Sequence, residues 1–210
     1  MASDANRHHE RLTHDDRRDE ILAAVRQTVV EDGLSRLSIS AVASRAGCTR
    51  SLFYHYFPTK EDALQAVLDL SIDSFVEQLT AWNESRVSGD IEGSLDSVAH
   101  MLKNMIVEKG DVMSQSVVHS GNAALYASFV HRAADRLARY ICSSTVVDFA
   151  AHHEVQIDHL YETFYVLITG LIMFVRTHPD ASEGTIKDII ASTLHIEGYT
   201  AKYPERRPER

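Results

Sequence analysis

The sequence predicts an all-α chain of about nine helices, a short three-helix unit at the N-terminus followed by a longer helical domain. Three observations carry this. Apolar residues recur at spacings of three and four along most of the chain, the period of amphipathic helices. Alternating runs bounded by turn residues, the mark of strands, do not occur. Between Arg7 and Lys202, proline stands only at Pro58 and Pro179, so little interrupts a helix.

The elements follow in order. Residues 1–14 are polar and read as a disordered arm. Ile21, Leu22, Val25 and Val29 form one helical face, closed by Gly33. Leu64, Val67, Leu68, Ser71, Phe75, Leu79 and Trp82 mark a long helix from about Lys60. Ile91, Leu95, Val98, Leu102 and Met105 mark another, ended by Gly110. Tyr126, Phe129, Val130, Ala133, Leu137, Tyr140 and Ile141 continue the pattern. From Ile157 to Val175 the apolar residues cover more than one stripe, so that helix must bury two faces. A final helix is expected from about Glu183 to Gly198. These last two helices suit either a buried core hairpin or a dimer interface. The predicted domains are 15–62 and 63–203, with a disordered tail at 204–210.

Composition bounds the function classes. Hydrophobic residues make up 44% and charged residues 24%, as in ordinary globular proteins. No uncharged apolar run reaches membrane-spanning length, and the N-terminus lacks the apolar stretch of a signal peptide. Cys48 and Cys142 stand far apart with no metal-ligand spacing, which suits a reducing cytoplasm. The formal net charge of −9 seemingly opposes nucleic-acid binding, yet it is unevenly spread. Residues 1–60 hold nine Lys/Arg and eight Asp/Glu, while the remaining 150 hold twelve and twenty-two. The acidity therefore belongs to the second domain, and the arrangement of groups in the first must decide what it binds.

The informative stretch is LSISAVASRAGCTRSLFYHYFPTKEDAL. Ser38 is placed to cap a helix whose Ile39, Val42 and Ala43 face inward, with Ala46 closing its last turn. Gly47 permits a tight turn, and Cys48 supplies a small apolar side chain to the core. Thr49 is placed to cap a second helix, Arg50 to Tyr56, and Pro58 ends it. This layout is a helix-turn-helix, whose second helix enters the DNA major groove N-terminus first. Arg50 offers a donor fork for guanine or phosphate. Ser51 and His55 can reach base edges or backbone oxygens, and Tyr54 and Tyr56 can reach phosphates with their hydroxyls. Thr59 and Lys60 open the next helix, where a phosphate suits the helix dipole. Phe53 and Phe57, four apart, read as core, whereas Tyr54 fits either role.

Residues 17 to about 68 resemble the DNA-binding domain of TetR/AcrR-type transcriptional regulators. The resemblance rests on the Ala43-x-x-Ala46-Gly47 step, Thr49-Arg50-Ser51, the run Phe53-Tyr54-His55-Tyr56-Phe57, and Pro58-Thr59-Lys60-Glu61-x-x-Leu64. It implies that Ser38, Thr49, Arg50, Ser51, Tyr54, His55, Tyr56 and Lys60 contact operator DNA. Leu52 departs from the pattern, since the family usually has a phosphate-touching hydroxyl there. Ser44 replaces a frequent acidic residue, with no consequence that follows from it.

The resemblance further implies a homodimer joined through the two C-terminal helices, and a second domain that binds a small-molecule effector. Residues polar or soft within apolar stripes are the pocket candidates: His100, Met101, Asn104, Met105, His119, Tyr126, Tyr161, Tyr165 and Met173. No metal or cofactor is expected. His152-His153-Glu154 with His159 matches no standard metal spacing. No GxSxG, P-loop, GxGxxG or paired-carboxylate motif supports an enzyme. A ligand-responsive repressor of a palindromic operator is the expected function. The alternative is a DNA-associated structural or interaction protein with no small-molecule effector.

Overall fold

The computed structural model describes residues 14–87, 89–108 and 112–200. Both the expected N-terminal arm, apart from His14, and the expected tail at 204–210 lie outside them. Among the described residues there are ten α-helices and no strand. The chain divides into two units between Leu68 and Asp69, inside one continuous helix.

The first unit opens with α1 (His14–Asp32). Ile21, Leu22, Val25 and Val29 are all buried, so the expected face is the core face. Thr28, fully buried, satisfies its hydroxyl by donating to the Ala24 carbonyl at 2.7 Å. A 3₁₀ turn, Leu34–Arg36, leads to α2 (Ile39–Arg45) and α3 (Arg50–Tyr56). Arg45 holds α2 to the end of α1 through Glu31 at 2.6 Å and Asp32 at 3.0 Å. Helix α4 (Lys60–Ser85) begins with a reciprocal cap. The Asp62 N–H donates to Thr59 Oγ1 at 3.1 Å, and the Thr59 N–H donates to the Asp62 carboxylate at 3.0 Å.

The second unit contains the rest of α4 and α5 (Ile91–Lys103), α6 (Val112–His119), α7 (Ala123–Ser143), α8 (Thr145–Ala150), α9 (Leu160–Thr177) and α10 (Glu183–Thr193). A π turn, Asn104–Glu108, continues α5. Helix α9 runs antiparallel to α7, with Tyr126 opposite Met173, His131 opposite Tyr165 and Asp135 opposite Tyr161. Its two apolar stripes enter two clusters. Phe164 and Ile168 pack with Leu79, Ala134, Leu137 and Ala138. Leu167, Leu171 and Val175 pack with Leu95 and Ala99 of α5 and with Ile186, Ile190 and Ala191 of α10. Both stripes are thus buried within one chain, and α10 lies chiefly on α5 rather than pairing with α9 as a simple hairpin. By length and composition alone α9 could cross a membrane, although it carries Glu162 and Arg176.

The final helix is shorter than its apolar pattern predicts. It ends at Thr193, not near Gly198, because His195 turns into the left-handed region at φ 55°. The Ile196 N–H then donates back to the Ala191 carbonyl at 2.9 Å, and Ile196 packs on the α5–α10 cluster. Ile196 keeps an apolar role without being helical.

Polar ties join the edges of these helices. Lys187 of α10 reaches Glu92 at 3.0 Å and Asp96 at 2.7 Å on α5. Arg132 and Arg136 of α7 reach Asp69 and Asp73 of α4, each at 2.7 Å. The equal spacing of four on both helices allows both pairs to form at once.

Candidate nucleic-acid interface and effector cavity

The turn between α2 and α3 is a Schellman motif. The Cys48 N–H donates to the Ala43 carbonyl at 2.9 Å and the Gly47 N–H to the Ser44 carbonyl at 3.3 Å. Gly47 has φ 59°, which an L-residue with a side chain adopts only at a cost. Each helix starts on its expected cap. Ser38 Oγ accepts from the Ala41 N–H at 3.2 Å, and Thr49 Oγ1 accepts from the Leu52 N–H at 3.1 Å. Burial pushes the Cys48 thiol up, which keeps it protonated and apolar in character at neutral pH.

Helix α3 is two-sided. Phe53 and, just beyond the helix, Phe57 are buried, 0% and 4% exposed, with ring centroids 5.9 Å apart. Arg50, Ser51, Tyr54 and His55 are exposed. Their spacing of one, four and five puts them on one face, within an arc of about 140° at 3.6 residues per turn. Tyr54 is 55% exposed, which decides its role in favour of the surface. Arg50 hydrogen-bonds the Ser40 hydroxyl through Nη2, so α2 supports its guanidinium. Tyr56 is half-buried, its ring 4.7 Å from that of His14 at the start of α1. Lys60 is also half-buried, and Nζ donates to the Leu37 carbonyl at 3.0 Å. Lys60 therefore ties α4 to the residue before α2, a structural task the sequence did not reveal. Acidic Glu61 and Asp62 fill the first turn of α4, and Asp62 already occupies the Thr59 donors.

The second unit holds a partly open cavity of about 2000 Å³. Drug-sized ligand sites commonly span roughly 300–1,000 Å³, so this one admits a larger molecule or more than one. Its middle is apolar, walled by residues such as Leu79, Leu95, Phe129, Leu137, Phe164 and Ile168. Polar groups also line it. Near the start of α9, Arg86 donates to Asn83 at 2.6 Å and to Asp148 at 3.2 Å, while Thr145 donates to Asn83 at 2.8 Å. Toward the end of α9, Arg176 stacks on Tyr126 with its guanidinium carbon 4.2 Å from the ring centroid. Segment 151–157, with no regular structure beyond turns, also borders the cavity.

Residues 21–67 match the family described as bacterial regulatory proteins, tetR family. Residues 21–67 of the first unit therefore carry a TetR-type DNA-binding domain. A further match is the HTH-type transcriptional activator FasR of Mycolicibacterium smegmatis, 29% identical over 101 residues. That match covers 45% of this chain and spans less than half, 46%, of FasR. Among solved structures, a TetR-family transcriptional regulator from Mesorhizobium loti aligns over 88% of this chain and 96% of its own, at 14% identity and TM-score 0.61. The multidrug binding protein EbrR, complexed with imidazole, aligns over 85% and 94% at 16% identity and TM-score 0.60. A TetR-family regulator from Streptomyces coelicolor aligns over 87% and 96% at 22% identity and TM-score 0.56. These likenesses show that the TetR fold extends through the helical second unit.

The pocket candidates of this chain separate by position. Met101, Met105 and Tyr126 border the cavity. Five others do not. His100 is largely exposed, with Nδ1 2.9 Å from Glu183, and Asn104 donates to its Nε2 at 2.8 Å. Tyr161 donates to Asp135 at 2.6 Å, and Tyr165 lies 2.7 Å from His131 Nδ1. Met173 is 43% exposed, its sulfur accepting from the Tyr126 hydroxyl at 3.6 Å. These side chains are polar or soft because they finish helix edges next to water. His119 ends α6, and its side chain lies outside the described residues. The expected picture omitted Arg86, Trp82 and Arg176, all on the cavity wall. Arg176 carried a readable signal as the only basic residue of the most apolar helix.

Proposed function

We propose that this TetR-family regulator is a ligand-responsive repressor, released from a palindromic operator when a small molecule fills the second unit. The observation that carries the proposal is the large apolar cavity, in a chain whose first unit is a helix-turn-helix. A DNA-associated protein with no effector has no need of such a space, which costs packing contacts the helices would otherwise make. Arg50, Ser51, Tyr54 and His55 are the proposed groove-facing residues, with Ser38, Thr49, Tyr56 and Lys60 around the backbone contacts. A ligand acts by preferring the conformation that binds DNA poorly, and it shifts the population by no more than that preference.

A homodimer is proposed through α9 and α10. Val166 and Met173 are 67% and 43% exposed, and the space beside Gly170 is open, so α9 presents an apolar, low-relief strip away from its own core. Two recognition helices would then stand about 34–36 Å apart, one DNA turn. The test is binding of the full chain to the DNA upstream of its own gene at several salt concentrations, with a reporter fused to that promoter. Salt-sensitive, sequence-specific binding together with reporter repression supports the reading. Absence of any sequence-specific complex, there or on other genomic fragments, sinks it. FasR is an activator, and a reporter that rises with the protein would assign this chain that sign instead.

A further inference from the structure

Arg176 is a charge that the cavity wall leaves unanswered. Its Nη1 is shielded from water and has no hydrogen-bond acceptor, and no carboxylate among the described residues pairs with it. The Tyr126 ring offsets only part of that cost, and a guanidinium does not escape by losing its proton. Most other charged groups on the wall have charged or capping partners, although Arg86 Nε and Glu197 Oε2 are also buried without a hydrogen bond. Arg86 and Asp148 hold each other, Asp90 caps α5 through the Gly93 N–H at 2.9 Å, and Glu92 holds Lys187. Glu197 also has a partner, and Glu154 is exposed. Between Arg176 and Leu160, α9 faces the cavity with Ile172, Leu171, Ile168, Leu167 and Phe164. That distance is about 24 Å at 1.5 Å rise per residue.

We infer that the cavity takes an elongated apolar molecule bearing one anionic oxygen headgroup. The headgroup lies against Arg176 beside Tyr126, and the apolar body extends along α9 toward Leu160. This rests on the effector reading above and adds the ligand's chemistry to it. A carboxylate or a phosphate ester would satisfy the guanidinium, because its planar donor fork matches two oxygens at once.

The test uses the full-length protein and displacement of the neutral dye Nile red by four probes below their micelle concentrations: dodecanoate, dodecyl phosphate, dodecanol and dodecyltrimethylammonium. In the unmodified protein at least one anion should displace the dye at a concentration about tenfold lower than dodecanol, roughly the worth of one charge-assisted contact. Whichever anion leads identifies the headgroup. Arg176→Gln should bring that anion within about twofold of dodecanol, whereas Arg176→Lys should keep part of its advantage. If Arg176→Gln fails to fold, the ranking in the unmodified protein decides, with Tyr126→Leu as the second variant. The inference is overturned if dodecanol or dodecyltrimethylammonium matches both anions, or if Arg176→Gln leaves the preference intact. In that outcome, release of promoter DNA by the uncharged or cationic probe keeps the effector reading standing. If no probe binds and none releases DNA, both fall.

Discussion

Gly47→Ala isolates the cost of the turn that sets the recognition helix. A Cβ built on Gly47 meets no atom within 4 Å, so the substitution introduces no clash. What remains is backbone energy, because φ is 59°. An L-residue pays roughly 1–2 kcal/mol in the left-handed region. Reduced freedom of the unfolded chain returns about 0.4–1 kcal/mol. The net loss is therefore about 1 kcal/mol, which lowers Tm by roughly 2–4 °C for a chain of this size. Asn tolerates this conformation better than Ala, and a β-branched residue tolerates it worse. The expected order of Tm is Gly, Asn, Ala, Val, measured by circular dichroism at fixed protein concentration. Operator affinity at 20 °C, well below the transition, should change by less than about threefold, since the Schellman bonds from Gly47 and Cys48 survive the change. Equal Tm for Gly47, Gly47→Ala and Gly47→Val would refute the reasoning, because the turn would then not be holding a left-handed residue.

Four more outcomes are expected. Lys60→Ala should weaken all DNA sites alike and also cost about 0.5–1.5 kcal/mol of stability by freeing the Leu37 carbonyl, read by denaturant melts beside binding curves. Arg50→Ala should leave the melt almost unchanged while narrowing the gap between specific and random DNA by about 1–3 kcal/mol, and an unchanged gap would remove Arg50 from base reading. His195→Gly should raise stability by a few tenths to about 1 kcal/mol, because the left-handed residue that closes α10 already carries a side chain. Hydrogen bonds from Gln27 first, and then Arg45, hold the Glu31 carboxyl below its usual value. The interaction therefore favours the fold above the ordinary carboxylate range and fades as pH falls through the lowered value. Gln27→Ala and Arg45→Gln should each raise the Glu31 titration midpoint observed by carbon-detected NMR, and a midpoint unmoved by either would show the contacts absent in solution.

The helix-turn-helix was legible because its signals are local. Ser38, Thr49 and Gly47 act on backbone groups within a few residues of themselves, so their positions alone specify two caps and a turn. The cavity was not legible in the same way. Periodicity says that Met101 and Leu137 point inward, but not whether the space they meet is filled by another side chain or left open. Tyr161 and Tyr165 looked like wall residues because they are polar within an apolar stripe, but their partners, Asp135 and His131, lie on the neighbouring helix rather than inside. The overrun of α10 has a different cause. Ile196 continues the apolar pattern, while the chain reversal depends on His195 adopting a conformation that sequence assigns first to glycine. The extra duty of Lys60 depends on a carbonyl 23 residues earlier, which no local pattern reveals.

The second unit combines closely packed rows with a large cavity. Its helices pack in two buried apolar clusters and tie their margins through Lys187, Arg132, Arg136, Asp135 and Arg86, while a large cavity lies beside that packing. Those margins lean on interactions that salt screens. A molecule that enters supplies contact area the sequence never encoded and stabilises the fold in proportion to the logarithm of its concentration. The ligand-free unit should therefore exchange its amide hydrogens faster around α8 and segment 151–157 than around the buried rows of α5 and α10. Under the proposed effector reading, the ligand's concentration in the cell would set not only DNA occupancy but how long each copy of the protein lasts.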